Sequence, residues 1–347
     1  MKKLASNKEL SIFCRHMSVM FISQITVMDG ILLVAEQTEN KNLAAALSNI
    51  HEQMDQGHTF AQAIARHPNI FGNYFINMVS LGELSGTLDT TFELLYSYFD
   101  KEDKIRRKLR SATAYPVVLT GLMAVIVLLL ILKILPMFEN TLSSLGGEMP
   151  TATNLIFKAA DFVSKFAAPI FFAVVIIIIA CVIYARAQSG RAFFDKLKVV
   201  VPLVRYVNVR VITSRYARSL AVLLKSGVQL INALEEIIPL TENTYLENKF
   251  KKAQDTIKDD SDFVDTLNNV GIFPPLFIRM VRVGHATGRL DDMLDKSASL
   301  FDDEVDGAVE RITLMVEPAL IILLSLVVGV ILLSVMLPMI SIMNAII

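Results

Sequence analysis

Residues 71–89, reading FGNYFINMVSLGELSGTLD, recur at 273–291 as FPPLFIRMVRVGHATGRLD. A chain that repeats so long a segment in register must build one folding unit twice, because the same order of apolar positions specifies the same core. The register carries Gly82 onto Gly284, Gly86 onto Gly288 and Asp89 onto Asp291, and holds through Pro116 and Pro318 as far as Met137 and Met339. Upstream it slips by one residue between Ile64 and Phe71, and still matches Arg15 to Arg218, Phe60 to Phe263 and Thr38-Glu39-Asn40 to Thr241-Glu242-Asn243. Duplication followed by a small insertion or deletion accounts for this. The unit is a domain of roughly 100 residues, large enough for its own core, followed by an apolar stretch of about 20 residues, enough to cross a bilayer.

Inside each copy the apolar residues recur at helical spacing, as with Phe13, Met17, Met20 and Phe21, or Tyr216, Leu220, Leu223 and Leu224. No window alternates for long with the period of a strand. Thr38 and Thr241 stand where helix caps are expected, and glycines punctuate the pattern. The fold class read from this is all-α, with two repeated cytoplasmic helical-bundle domains and three transmembrane helices. The last helix of the first domain has no Gly or Pro between Leu88 and Pro116, and it and its counterpart, Leu290 through Phe301 and Ile312 up to Pro318, are expected to run on into the apolar stretches as stiff rods.

Three windows are apolar and long enough to span a membrane: 116–135, 167–185 and 318–337. None carries an ionised side chain at its centre; Lys133 sits near one end, where its stem can reach the headgroups. The chain is 53% hydrophobic, and its 19% charged residues concentrate in the two repeats. The N-terminal residues are basic but lack the apolar core and cleavage site of a signal peptide. Arg106, Arg107, Lys108 and Arg110 precede the first window, and Arg186, Arg191, Lys196 and Lys198 follow the second, so both flanks are expected on the cytoplasmic side. The expected order is domain one at 1–112, the first span at 116–135, a periplasmic segment at 136–166, the second span at 167–185, domain two at 186–314, the third span at 318–337 and a periplasmic tail at 338–347.

Catalytic signatures are missing. The sequence holds no phosphate-binding glycine loop, no nucleophile elbow, no His-Glu-x-x-His and no Cys-x-x-Cys. No enzyme activity, cofactor, metal site or nucleic-acid partner is expected. Cys14 and Cys181 are expected as free thiols, and His16, His51, His58, His67 and His285 show no ligand spacing. Glu83 beside Asp89 has the oxygen chemistry for a cation, but the second copy puts His285 at the position of Glu83, which favours a capping or ion-pair role. The spacing of Gly82 with Gly86, and of Gly284 with Gly288, occurs in membrane helix pairs. Here the polar surroundings point to a helix end and a tight turn, with Asp89 and Asp291 opening the next helix.

The motif from Gly82 to Leu88, the run from Leu223 to Val228, and Leu135-Pro136-Met137-Phe138 followed by Glu148-Met149-Pro150-Thr151 together resemble the GspF/PilC family, the inner-membrane platform proteins of type IV pilus and type II secretion machines. The resemblance covers nearly the whole chain. It implies a non-enzymatic, multi-pass protein of the bacterial inner membrane with its N-terminus in the cytoplasm. It also implies homo-oligomerisation and contact with a hexameric ATPase, pilin or pseudopilin subunits, other inner-membrane assembly proteins and lipid. Two departures between the copies matter here: Gln24 stands where Gly227 would match, and His285 where Glu83 would.

The expected function is a platform that couples a cytoplasmic ATPase to extraction and polymerisation of pilins, with type II secretion as the alternative. The candidate force-transmitting residues are Gly82, Glu83, Gly86 and Asp89, with their twins Gly284, His285, Gly288 and Asp291, and the basic residues at 106, 107, 108 and 110. A transporter would place ionisable or broken-helix features at mid-membrane, which the three windows lack. An unrelated membrane scaffold would need no ATPase partner.

Overall fold

The computed structural model describes residues 4–130, 188–241, 243–258 and 262–346, with 133, 137 and 184 in addition. Almost all of the expected second span and of the expected periplasmic segment lies outside the described residues. Those described form helices, turns and bends, with no strand among them.

By contacts the chain divides into two compact units, Met1–Lys108 with Ala192–Ala308, and Leu109–Arg191 with Val309–Ile347. The two repeats, read in the sequence as separate bundles, thus share the first unit. Repeat one supplies α1 (Asn7–Ile22), α2 (Val27–Gln37), α3 (Lys41–Asp55), α4 (Phe60–Ala65), α5 (Pro68–Ser85) and the start of α6 (Leu88–Leu129). After α7 (Gln188–Val200), repeat two supplies α8 (Pro202–Lys225), α9 (Leu230–Ile237), α10 (Thr244–Lys258), α11 (Phe263–Asn269), α12 (Pro275–Thr287) and the start of α13 (Leu290–Ile346).

Local chemistry sets the helix starts. Ser6 opens α1 as a reciprocal capping box with Glu9, whose carboxylate accepts from the Ser6 amide at 2.6 Å. The Ser6 and Asn40 hydrogen bonds together outweigh the cost of partial burial and hold the Glu9 carboxyl below its usual range. The caps of α3 and α10 are Asn40 and Asn243, not the threonines two residues earlier. Asn40 Oδ1 accepts from the amides of Asn42 and Leu43, and Asn243 Oδ1 from that of Leu246. Thr38 instead ends α2, its hydroxyl donating to the Val34 carbonyl at 2.6 Å, and Thr241 closes a 3₁₀ turn at Ile238–Thr241. An Asn directly before the first helical residue outcompetes a Thr still committed to the preceding helix.

The apolar faces read from the spacing are the buried ones. Phe13, Met17, Tyr216, Leu220 and Leu223 are buried, with Met20, Phe21 and Leu224 packed against them. Aromatic rings fill the centre of each repeat: Phe13 lies 5.8 Å from Phe71 and from Phe92, and Tyr216 lies 4.9 Å from Phe273. Such tilted and edge-on pairs add to what burial alone supplies.

Two helices are far longer than a bundle needs. The 42 residues of α6 and the 57 of α13 continue through Pro116 and Pro318, corresponding to about 63 and 85 Å at helical rise. Among the described residues α6 is the helix long and apolar enough to cross a membrane. The expected third span lies within α13, where Ile321, Ile322, Leu326 and Leu332 are exposed. In the second unit the Tyr115 hydroxyl donates to the Glu317 carboxylate at 3.3 Å, pairing the two helices beside their prolines.

Candidate functional site at the paired turns and the charged seam

The Gly82–Asp89 segment is a helix end followed directly by a helix start. α5 ends at Gly86, which takes the left-handed conformation with φ 70°. The Thr87 amide returns to the Gly82 carbonyl at 2.8 Å, closing the terminus in the manner glycine makes accessible. Gly82 is where α5 meets α6: a Cβ there would come within 2.4 Å of the Thr91 hydroxyl. The twin behaves alike. Gly288 has φ 69°, the Arg289 amide returns to Gly284 at 2.9 Å, and a Cβ on Gly284 would meet the Leu290 backbone at 3.0 Å.

Glu83 and His285 differ because the cap they serve is built differently. Both Glu83 carboxylate oxygens accept backbone amides, from Phe60 and Ala61 at 2.9 Å each, so this acid caps α4 from across the bundle. In repeat two the acid sits at the cap itself. Asp262 accepts from Asp265 and Val264, bonds that hold its carboxyl below the usual range. His285 then needs no acceptor and lies with its ring 6.0 Å from Phe263. Asp89 is exposed and Asp291 half-buried, each in the first turn of its long helix. The hydrogen bonds described for each turn close within its own repeat. Gln24, at the position equivalent to Gly227, adopts φ 59° against 81° for the glycine, so the turn keeps its shape and a side chain carries the strain.

Of the basic residues, Arg107 pairs with Asp103 on its own helix at 3.1 Å, and Lys108 reaches across to Asp306 of repeat two. Arg106 and Arg110 are exposed on α6. Among the described residues no cluster of three or more His, Cys, Asp or Glu side chains is set to hold a metal. Cys14 is a buried free thiol, and burial pushes its pKa well up, away from reactivity.

Sequence reasoning missed the charged seam between the repeats. Arg218 is buried, donates to both Asp302 carboxylate oxygens at 2.5 Å, and lies 3.9 Å from Glu102. Arg215 donates to Glu102 at 3.0 Å, Ser214 to Asp302 at 2.5 Å, and the Asn77 amide to Glu236 at 2.5 Å. Beside them the Tyr74 hydroxyl is buried with no hydrogen-bond partner among the described residues, and burial raises its pKa well above the usual range. A signal was present in the sequence: Glu102 falls on the same helical face as the apolar Tyr98 and Ile105, where an acid needs a buried partner. What it could not name was the partner, more than a hundred residues away.

This repeated helical unit, with its two glycine-ended turns and two long helices leading into apolar sequence, has relatives among known proteins. The sequence pattern of the family described as type II secretion system (T2SS), protein F, matches twice, at residues 13–136 and 216–338, and the chain belongs to that family. It is similar to the type IV pilus assembly protein PilC of Thermus thermophilus, with 32% identity covering 97% of this chain and 83% of that protein. The PilC protein of Myxococcus xanthus is 29% identical, covering 98% and 81%. Type II secretion system protein F of Vibrio cholerae is 24% identical, covering 99% and 84%.

Proposed function

We propose that this protein is the inner-membrane platform of a type IV pilus assembly machine, coupling a cytoplasmic hexameric ATPase to the extraction and polymerisation of pilins. In this reading it crosses the membrane three times, with its N-terminus and both repeats in the cytoplasm. It performs no bond chemistry. The observation that carries the reading is the continuity of α6 and α13, each running unbroken from a glycine-ended turn through the repeat seam into apolar sequence. A rod anchored in a well-packed unit transmits displacement instead of absorbing it. The turns at Gly82–Asp89 and Gly284–Asp291 fix the rod bases, and the basic residues from Arg106 to Arg110 sit where the rod meets the cytoplasmic headgroups. Higher identity to the Thermus and Myxococcus pilus proteins than to the Vibrio secretion protein favours pilus assembly; service in type II secretion, with pseudopilins, is the second reading.

Deletion of the gene in a piliated host tests this. Surface fibres should disappear while pilin synthesis continues; normal piliation defeats the pilus reading. Crosslinking in membranes with the ATPase encoded nearby should link it to residues 1–110 or 186–312, and absence of links with working controls removes the ATPase coupling.

A further inference from the structure

Helix α7, Gln188–Val200, packs by one side and leaves the other open. Asp195 and Val199 are buried, and Asp195 is tied to repeat two: its carboxylate accepts from the Thr244 amide at 3.0 Å, and its backbone carbonyl from the Asn243 side-chain amide at 3.1 Å. The side away from that contact is apolar. Phe193 is 57% exposed, Leu197 42% and Val200 55%. At helical spacing the three fall within an arc of about 60°. Lys196 and Lys198, both exposed, lie on either side of this stripe. Asp195 is the one acid in α7 and is turned inward, so among the described side chains the charges on the open side are lysines.

A continuous stripe of this kind marks a surface that something apolar covers. Position along the chain narrows the choice. Phe193 comes eight residues after position 185, where the second apolar window ends, which keeps it within about 30 Å of that end even on an extended chain. Local geometry agrees. A Cβ on Gly190 would collide with the Tyr184 carbonyl, whereas on one straight helix the two residues stand about 9 Å apart, so α7 is not a straight continuation of the helical turn at Tyr184. Charge completes the match. Lysines bracketing an apolar stripe can send their long stems to anionic headgroups while the residues between them enter the acyl boundary. The same exposed character continues at the start of α8 with Val204, Arg205 and Tyr206.

We propose that α7 lies along the cytoplasmic surface of the bilayer, with Phe193, Leu197 and Val200 in the acyl boundary and Lys196 and Lys198 at anionic headgroups. The proposal rests on the membrane reading above for the window at 167–185. Asp195 then joins the lipid-bound helix to the start of α10, which fastens repeat two to the membrane surface at a point separate from its long helix.

The test uses the full chain reconstituted in vesicles, with Cys14 and Cys181 replaced by Ala and one cysteine at a time carrying an environment-sensitive nitrobenzoxadiazole label. Phe193→Cys and Leu197→Cys report on α7, Ile322→Cys on the apolar part of α13, and Gln56→Cys on an exposed polar position. The expected result is blue-shifted emission at 193 and 197 that doxyl-labelled lipid quenches, with neither effect at 56. Quenching at 193 should be stronger in vesicles containing phosphatidylglycerol than in phosphatidylcholine alone, and Lys196→Glu should remove that difference. Water-like, unquenched emission at 193 and 197 beside a quenched signal at 322 overturns the proposal and spares the membrane reading. Absence of quenching at all three sites defeats both. A blue shift without lipid quenching means that protein, a second copy included, covers the face; quenching indifferent to phosphatidylglycerol means that the headgroups are not recognised. Either result overturns the proposal.

Discussion

Gly82 shows how tightly a single residue can be specified. Its missing side chain lets α5 lie against Thr91 of α6, whose hydroxyl also bonds the Thr87 carbonyl at 2.8 Å. Gly82→Ala is expected to lower stability by about 1–3 kcal/mol through overpacking. Thermal unfolding of the purified chain checks this, and Thr91→Ala in the same molecule should recover much of the loss in a double-mutant cycle. Arg218 is specified by charge. Its removal takes the guanidinium hydrogen bonds from the half-buried Asp302, which keeps Ser214 at 2.5 Å and Lys101 at 3.7 Å, and Arg218→Met is expected to cost roughly 1.5–3 kcal/mol. A loss below 1 kcal/mol would mean that the carboxylates find other partners.

At the scale of elements, short helices depend on what caps them. α4 has 6 residues, too few to hold by propensity, and Glu83 satisfies two of its orphan amides. Glu83→Ala is expected to remove about 1 kcal/mol, and hydrogen exchange should rise at residues 60–65 before it rises elsewhere. Asp195 of α7 plays a comparable part for α10, accepting from the amide and hydroxyl of Thr244 at 3.0 Å while paired with Lys198. Burial alone would raise its pKa, but the Lys198 and Thr244 hydrogen bonds outweigh it and leave the carboxyl below its ordinary 3.8. A carboxyl depressed in the folded state stabilises the fold above the unfolded value, and that contribution is lost as pH falls through the folded one. Asp195→Asn should therefore be less stable than the unchanged chain at neutral pH, with the gap closing below about pH 3.8. A gap that persists in acid would assign the loss to geometry instead of charge.

For the molecule as a whole, the joined repeats imply shared cooperativity. Phe75 lies in the aromatic centre of repeat one, 4.9 Å from Phe71, and Phe75→Ala is expected to cost about 3–5 kcal/mol. Because the seam buries charges contributed by both repeats, loosening one exposes groups the other needs paired. Hydrogen exchange should then rise in α8 of repeat two as well as in α1 and α5. A change confined to residues 5–99 would show two independently folding domains.

The amino-acid order by itself determined the duplication, the helical class, the buried faces led by Phe13 and Tyr216, the glycine-ended turns and the long helices running on through Pro116 and Pro318. These depend on local rules: apolar period, glycine's access to positive φ, and, ahead of Pro116, the lack of a breaker. The caps at Asn40 and Asn243 were within reach of the same rules but fell two residues from the expected threonines, since adjacent cap formers compete and the end of the previous helix decides between them. Only the tertiary structure decided that Glu102 meets Arg215 and Arg218, and that Glu83 caps α4 while His285 lies beside Phe263. Those outcomes depend on surfaces brought together by chain reversals many residues apart, which no local rule reaches.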